Sequence, residues 1–204
     1  MTSGRLSAVL IAMSLALAGC NDAPGTAGAN SSAKSASTQV SIAAIAAEAQ
    51  GFSVGSAMSA RTVYVFFDAQ CPHCGALWES AKPLKSQAKF VWIPVGILNP
   101  ASTAQGATLL AATDPVAAMD AHEASLRAGQ GGLTAAGELP AQRAAVTKNT
   151  ELMTRFGFGS IPTIVGTHAR TGALVTQEGA SPTAALATLL GLQVPAGPPA
   201  VPAN

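Results

Sequence analysis

The sequence predicts an α/β domain in which a strand–helix–parallel-strand unit and a terminal hairpin with its helix flank a long helical insertion. Three observations predict it. The runs Thr62 to Phe67 and Phe90 to Val95 are almost wholly β-branched, aromatic or apolar, the mark of strands buried on both faces. Between them, Leu77, Trp78, Ala81 and Leu84 recur on one face of a helix running from Pro72 to Gln87. From Pro100 to Phe156 strand character is lost, and it returns only after Pro162.

The first residues read as an address. Arg5 supplies a positive start, and Leu6 to Ala18 form an apolar run broken only by Ser7 and Ser14. That run is too short to span a bilayer but suits the core of a secretory signal. It ends in Leu17-Ala18-Gly19-Cys20, which resembles the bacterial lipobox, so residues 1–19 read as a lipoprotein signal peptide and Cys20 as the lipidated N-terminus. Residues 20–38 are rich in Ala, Ser, Gly and Asn and read as a flexible tether reaching roughly 20–25 Å. Two or more acyl chains would make the attachment stable. The expected setting is the bacterial periplasm, at a membrane; Asn21 in place of the Asp that signals inner-membrane retention favours the outer one.

Residues 39–60 read as a lead-in helix and linker, with Ile42, Ile45, Ala46 and Ala49 on one helical face. The domain proper is expected over 61–192. Pro83 is placed to kink its first helix. The insertion, about 100–156, suggests three helices: around Leu109 and Leu110, from Val116 to Leu126, and from Ala141 to Phe156. Asp114-Pro115 and a Gly-rich turn at 129–132 separate them. Thr163 to Gly166 and Ala173 to Thr176 read as strands about a Thr171-Gly172 turn. Ser181-Pro182 opens a final helix through Leu190, with Pro in its first turn. Residues 193–204 read as a disordered Pro-rich tail. This order is that of a thioredoxin fold interrupted by a helical insertion.

Composition excludes several classes. Of the 204 residues 44 are Ala, so larger apolar residues make up an ordinary core supply. Charged residues are only 10% and the net charge is +1, which denies the chain the basic footprint of a nucleic-acid binder. It is also too apolar to be a charged disordered tail.

The three cysteines are more informative. With Cys20 assigned to lipid, Cys71-Pro72-His73-Cys74 holds the remaining sulfur, in a compartment that oxidises thiols. At a strand-to-helix junction, the first sulfur meets the free N–H groups and positive dipole end of the helix, which stabilise a thiolate. Cys71 is then the attacking and exposed sulfur, and Cys74, one turn in, the resolving thiol. Pro72 suits the first helical turn. His73 adds a positive neighbour that lowers the Cys71 pKa and moves the pair toward the oxidising side. Haem attachment needs a His at position 75, which is Gly, and zinc finds only the distant His122 and His168 as further ligands. A purely structural disulfide would close too small a loop to constrain the unfolded chain much. A soft metal held by the two thiols remains a third reading. No cofactor is expected.

Ser160-Ile161-Pro162-Thr163 precedes a short strand at the place where thioredoxin-like chains carry a cis-proline loop facing the cysteines. A cis bond there would free the Ile161 backbone to pair with an extended substrate. Trp78 and Trp92 read as core or rim aromatics, Met119 and Met153 as core, and His122 and His168 as surface residues.

The segment from Val63 through Asp68-Ala69-Gln70 to Cys71-Pro72-His73-Cys74 resembles the catalytic segment of the periplasmic disulfide isomerases DsbC and DsbG, and Asp68 belongs to that pattern. Pro94 to Pro100, the Ala111 to Pro115 stretch and Asn149 to Met153 are similar to DsbG in particular. The resemblance covers about residues 61 to 192. It implies a thioredoxin-fold thiol:disulfide oxidoreductase acting on exported proteins with cysteines, kept reduced by a membrane electron donor of the DsbD type. Its site would be Cys71 and Cys74, tuned by Pro72 and His73, with Ile161 and Pro162 against the substrate. Two departures qualify it. Only about 40 residues, mostly tether, lie between Cys20 and Arg61, so the family's dimerisation domain is expected to be absent and the protein a monomer. Ile161 stands where these isomerases usually carry Thr, and Pro72-His73 matches the oxidase DsbA, which keeps an oxidase reading open.

Overall fold

A computed structural model describes residues 38–194. The signal peptide assigned to 1–19, the lipidation assigned to Cys20, the tether up to residue 37 and the tail from 195 lie outside the described residues. In chain order the elements are α1 (Ile42–Glu48), β1 (Phe52–Gly55), β2 (Thr62–Asp68), α2 (Pro72–Ala81), β3 (Lys89–Val95), α3 (Pro100–Ala111), α4 (Pro115–Arg127), α5 (Pro140–Arg155), β4 (Thr163–Thr167), β5 (Leu174–Glu178) and α6 (Thr183–Leu190). None of these helices is long and apolar enough to cross a membrane.

The strands form one sheet in the order β1-β3-β2-β4-β5. β2 lies at its centre, parallel to β3 with Val65 opposite Trp92, and antiparallel to β4 with Val65 opposite Ile164. Alternation along the strands sends successive side chains to opposite faces. Val63, Val65, Phe67, Phe90 and Trp92 meet α2 and α6 on one face, through Leu77, Trp78, Leu186 and Leu190. Tyr64, Phe66, Ile93 and Val95 meet α1 and α5 on the other, through Ile45, Leu152 and Met153. Burial on both faces is why the β2 and β3 runs show no polar alternation.

Each insertion helix begins with Pro at its first position, where a missing N–H does no harm. Asn99 and Ser102 form a reciprocal capping box on α3, and the Asp114 side chain accepts from the Val116 and Ala117 N–H groups of α4. Pro83 does more than kink: the α-helix stops at Ala81 and residues Lys82–Leu84 continue as a 3₁₀ turn. Pro182 is extended, with ψ 155°, and caps α6 from outside the first turn in which the sequence placed it. Residues 52–55, expected as linker, pair with β3 as an edge strand, Phe52 opposite Trp92. Only Phe52 and Val54 point inward, too short an alternation to stand out in the sequence.

Asn149 on α5 joins distant segments. Its side-chain N–H donates to the carbonyls of Gln50 (2.8 Å) and Pro94 (2.9 Å), and its oxygen accepts from the Gln50 N–H (2.9 Å). Asn149→Ala is expected to orphan these groups in the interior and lower stability by about 1–3 kcal/mol, read as a lower urea midpoint at unchanged slope.

Candidate active site

Cys71 is the N-cap of α2, with extended φ −95° and ψ 113°, and Pro72 occupies the first turn. Its carbonyl accepts from the N–H groups of Cys74 (3.0 Å) and Gly75 (3.3 Å). Both cysteines are free thiols, and Pro72 and His73 are exposed beside them. Cys71 was expected to be the exposed sulfur; only 4% of the residue is accessible, against 0% for Cys74. The cover is the Ile161–Pro162 loop, whose bond is cis and whose Ile161 carbonyl lies 3.9 Å from Cys71 Sγ. Five predicted site residues, Cys71, Pro72, Cys74, Ile161 and Pro162, thus converge, with His73 at the rim.

The two thiols differ sharply. The Cys71 pKa falls from 9.0 to about 6, chiefly because the Cys74 thiol donates a hydrogen bond to its sulfur. Burial opposes the shift; the Cys74 and His73 N–H groups and the His73 charge add to it. The helix terminus and His73 expected from the sequence therefore act, but behind the partner thiol. Burial pushes the Cys74 thiol well above its ordinary value.

The loop carrying Cys71 is held from several sides. Asp68 is fully buried; one carboxylate oxygen accepts from Gln70 N–H (2.9 Å), the other from Ile97 N–H (2.8 Å) and Leu98 N–H (3.0 Å). It thereby fixes the loops that leave β2 and β3 by satisfying three backbone donors. Gln70 is hydrogen-bonded to Gln105 of α3 and donates to the Gly131 carbonyl (3.2 Å).

The sequence reading missed the role of α4. His122, expected at the surface, is 0% exposed. Its Nδ1 accepts from Leu133 N–H (3.0 Å), so Nε2 carries the proton and donates to the Ala69 carbonyl (2.6 Å), two residues before Cys71. A neutral ring with both nitrogens engaged is no zinc ligand, and burial lowers its pKa. Gly132, at φ +89°, lies so close to the ring that a side chain there would collide with it. Trp78 Nε1 donates to Asp120 (2.7 Å), and Lys82 bridges Asp120 (2.7 Å) and Glu79 (2.9 Å), pinning α4 along α2. Glu123 is 3% exposed and packs against Gly75, and beside it Gln70, Pro72, Ala76 and Leu126 line a groove of about 320 Å³. The neighbouring Asp114-Pro115 start was legible; the inward turn of His122 and Glu123 was not, because the α4 sequence alternates too little between polar and apolar.

The chain thus joins a thioredoxin-like fold to an asymmetric Cys-x-x-Cys pair at the start of the helix that follows its central strand. In sequence it is similar to DsbG of two bacteria. It is 36% identical over 140 residues to the thiol:disulfide interchange protein DsbG of Pseudomonas aeruginosa, covering 67% of this chain and 54% of the relative. It is 38% identical over 65 residues to DsbG of Escherichia coli, covering 31% of this chain and 26% of that protein. The chain spans about half the length of the first relative and a quarter of the second. No family model matches the sequence. Among solved structures, a periplasmic thioredoxin-like protein from Salmonella enterica superposes with TM-score 0.57 at 16% identity, covering 76% of this chain and 97% of that one. The catalytic domain of Proteus mirabilis ScsC gives 0.55 at 16%, covering 73% and 96%, and DsbA2 of Pseudomonas aeruginosa 0.56 at 19%, covering 68% and 91%. These likenesses carry the fold.

Because folding lowers the Cys71 pKa, its stabilising effect is present at alkaline pH and is lost as pH falls through about 6. The reduced protein should therefore gain stability over Cys71→Ser as pH rises from about 6 toward the ordinary thiol value of 9.0, in denaturant titrations at each pH. A flat difference across that window would contradict the assignment.

Proposed function

We propose that this chain is an envelope thiol:disulfide oxidoreductase that reduces or isomerises disulfides, or reduces oxidised cysteines, in exported proteins. The observation that carries this reading is the placement of the pair: Cys71 caps α2 beside the cis Ile161–Pro162 loop, with Cys74 fully buried one turn in, so that the Cys71 pKa falls to about 6 while burial raises that of Cys74. At neutral pH Cys71 is then mostly thiolate, the nucleophilic form, and Cys74 keeps its proton.

The reaction follows from that difference. The Cys71 thiolate attacks a substrate sulfur, forming a mixed disulfide and expelling one substrate thiolate. Cys74 then loses its proton and attacks Cys71 Sγ, so the second substrate sulfur leaves with the electron pair. The substrate gains two electrons and the Cys71–Cys74 pair becomes a disulfide. A dithiol donor, of the DsbD type at the membrane, restores it. If the expelled substrate thiolate instead attacks another substrate disulfide, and the thiolate so released attacks the mixed disulfide, Cys71 leaves as thiolate and the result is isomerisation.

The Ile161 carbonyl, 3.9 Å from Cys71 Sγ on the cis Ile161–Pro162 loop, is the backbone beside which an extended substrate would lie. Ile97 and Leu98, 44% and 50% exposed and hung from Asp68, add apolar surface suited to an incompletely folded chain. The proposed setting is the periplasm, with lipid on Cys20 tethering the domain. A DsbA-like oxidase is the second reading, favoured by the exposed His73 and its contribution to the Cys71 pKa, which stabilises the reduced form.

Cys74→Ala should leave Cys71 covalently linked to exported proteins, recovered as mixed disulfides that a reductant releases; an empty trap overturns the proposal. In cells, acid-quenched alkylation should find the wild-type pair mainly reduced. A mainly oxidised pair would establish the oxidase reading instead.

A further inference from the structure

Glu123 is a buried carboxyl for which the exchange reaction above has no use. It projects from α4, is 3% exposed, and its Oε1 is sealed from solvent with no hydrogen-bond partner. Its carboxyl fills the space that any side chain at position 75 would need, which puts it against the backbone of the residue following Cys74, in the first turn of α2. It therefore sits at the same positive helix end that Cys71 caps.

The charges around it do not neutralise it. From α2 and the turn that follows, Cys71, His73, Glu79 and Lys82 face this region; from α4 itself, Asp120 and Arg127 do. Both nearby cations are already engaged. Lys82 holds Glu79 at 2.9 Å and Asp120 at 2.7 Å, and Arg127 holds Glu79 at 3.3 Å. Burial foremost, with Glu79 and Cys71 adding to it, raises the Glu123 pKa to about 7, although Arg127 and Lys82 pull it down. An unpartnered interior carboxyl costs stability that a hydrocarbon of the same size would not.

We propose that Glu123 is the proton-linked tuning residue of the Cys71–Cys74 pair: its carboxylate takes up a proton when the disulfide is reduced to the Cys71 thiolate and releases it when the disulfide re-forms. The inference rests on the exchange chemistry proposed above. The balance is complete with a partner dithiol. The partner loses two electrons and two protons and becomes a disulfide; the Cys71–Cys74 bond breaks; Cys74 takes one proton; Cys71 keeps a negative charge; Glu123 takes the second proton. Near neutrality the proton on Glu123 thus keeps a second negative charge off the helix end. Above neutrality, where Glu123 ionises, it repels the thiolate and makes the pair a better reductant. In acid it is neutral, and the pair is a better oxidant. Glu123 is a positioning residue in this sense: it touches no substrate and acts through the charge on Cys71.

The test is the equilibrium of the full-length wild-type protein and its Glu123→Gln variant with reduced and oxidised glutathione from about pH 5 to 9. At about pH 8 the variant should favour the reduced form by about tenfold over wild type, the equivalent of one pKa unit of coupling. At about pH 5 the two should coincide. Parallel profiles across the whole range would overturn the proposal while leaving the exchange function standing. A wild-type pair that does not equilibrate with glutathione at all would instead remove the exchange function itself. A second measurement needs no variant to fold: the infrared difference between reduced and oxidised wild type at about pH 7. It should show a carboxylate band replaced by a protonated carboxyl band on reduction, and a spectrum without that exchange would refute the assignment.

Discussion

One constraint organises this molecule: Cys71 is held at the open end of α2 with the fully buried Cys74 one turn behind it. It separates two chemically identical groups into a nucleophile near 6 and a reserve thiol pushed far the other way. A hydrogen bond to the charged form favours that form, and the same low-dielectric surroundings that strengthen it penalise a second charge. The sheet supplies the conditions. β2 enters the site as a strand buried on both faces, so the helix that follows starts against the protein interior rather than in water.

The helical insertion works as a clamp on that junction. Asp120 and Lys82 seat α4 along α2, and His122 ties the strand-to-helix loop to the turn at 131–133. Asp68 fastens the same loop to the one after β3. A nucleophile on a loop needs such support, because a shift of about an ångström is enough to spoil near-attack geometry. In this arrangement the insertion is part of the site, and Glu123 is the residue through which it reaches the electrostatics of the pair.

Much of this was legible in the sequence, for identifiable reasons. Buried strands announce themselves by uninterrupted β-branched and aromatic residues, so β2 and β3 stood out. Asp114-Pro115 marks a helix boundary by a local rule that needs no tertiary context. Cys-x-x-Cys and Ile161-Pro162 were readable because their chemistry depends on residue type and spacing. What stayed hidden depends on three-dimensional partners. β1 is visible only once β3 is there to pair with Phe52 and Val54. His122 looked like a surface residue because its partners, Ala69 and Leu133, are 53 and 11 positions away in the chain. The burial of Cys71 comes from a loop 90 residues downstream.

The most direct test of the central claim is competition between the two cysteines for a limiting alkylating reagent in the reduced protein at neutral pH. Peptide mapping should find the label on Cys71 alone, at a rate that falls away only below about pH 6. Equal labelling of both positions, or a rate that climbs only near the ordinary thiol value of 9.0, would mean that the helix end and the buried partner thiol do not set the sulfur apart.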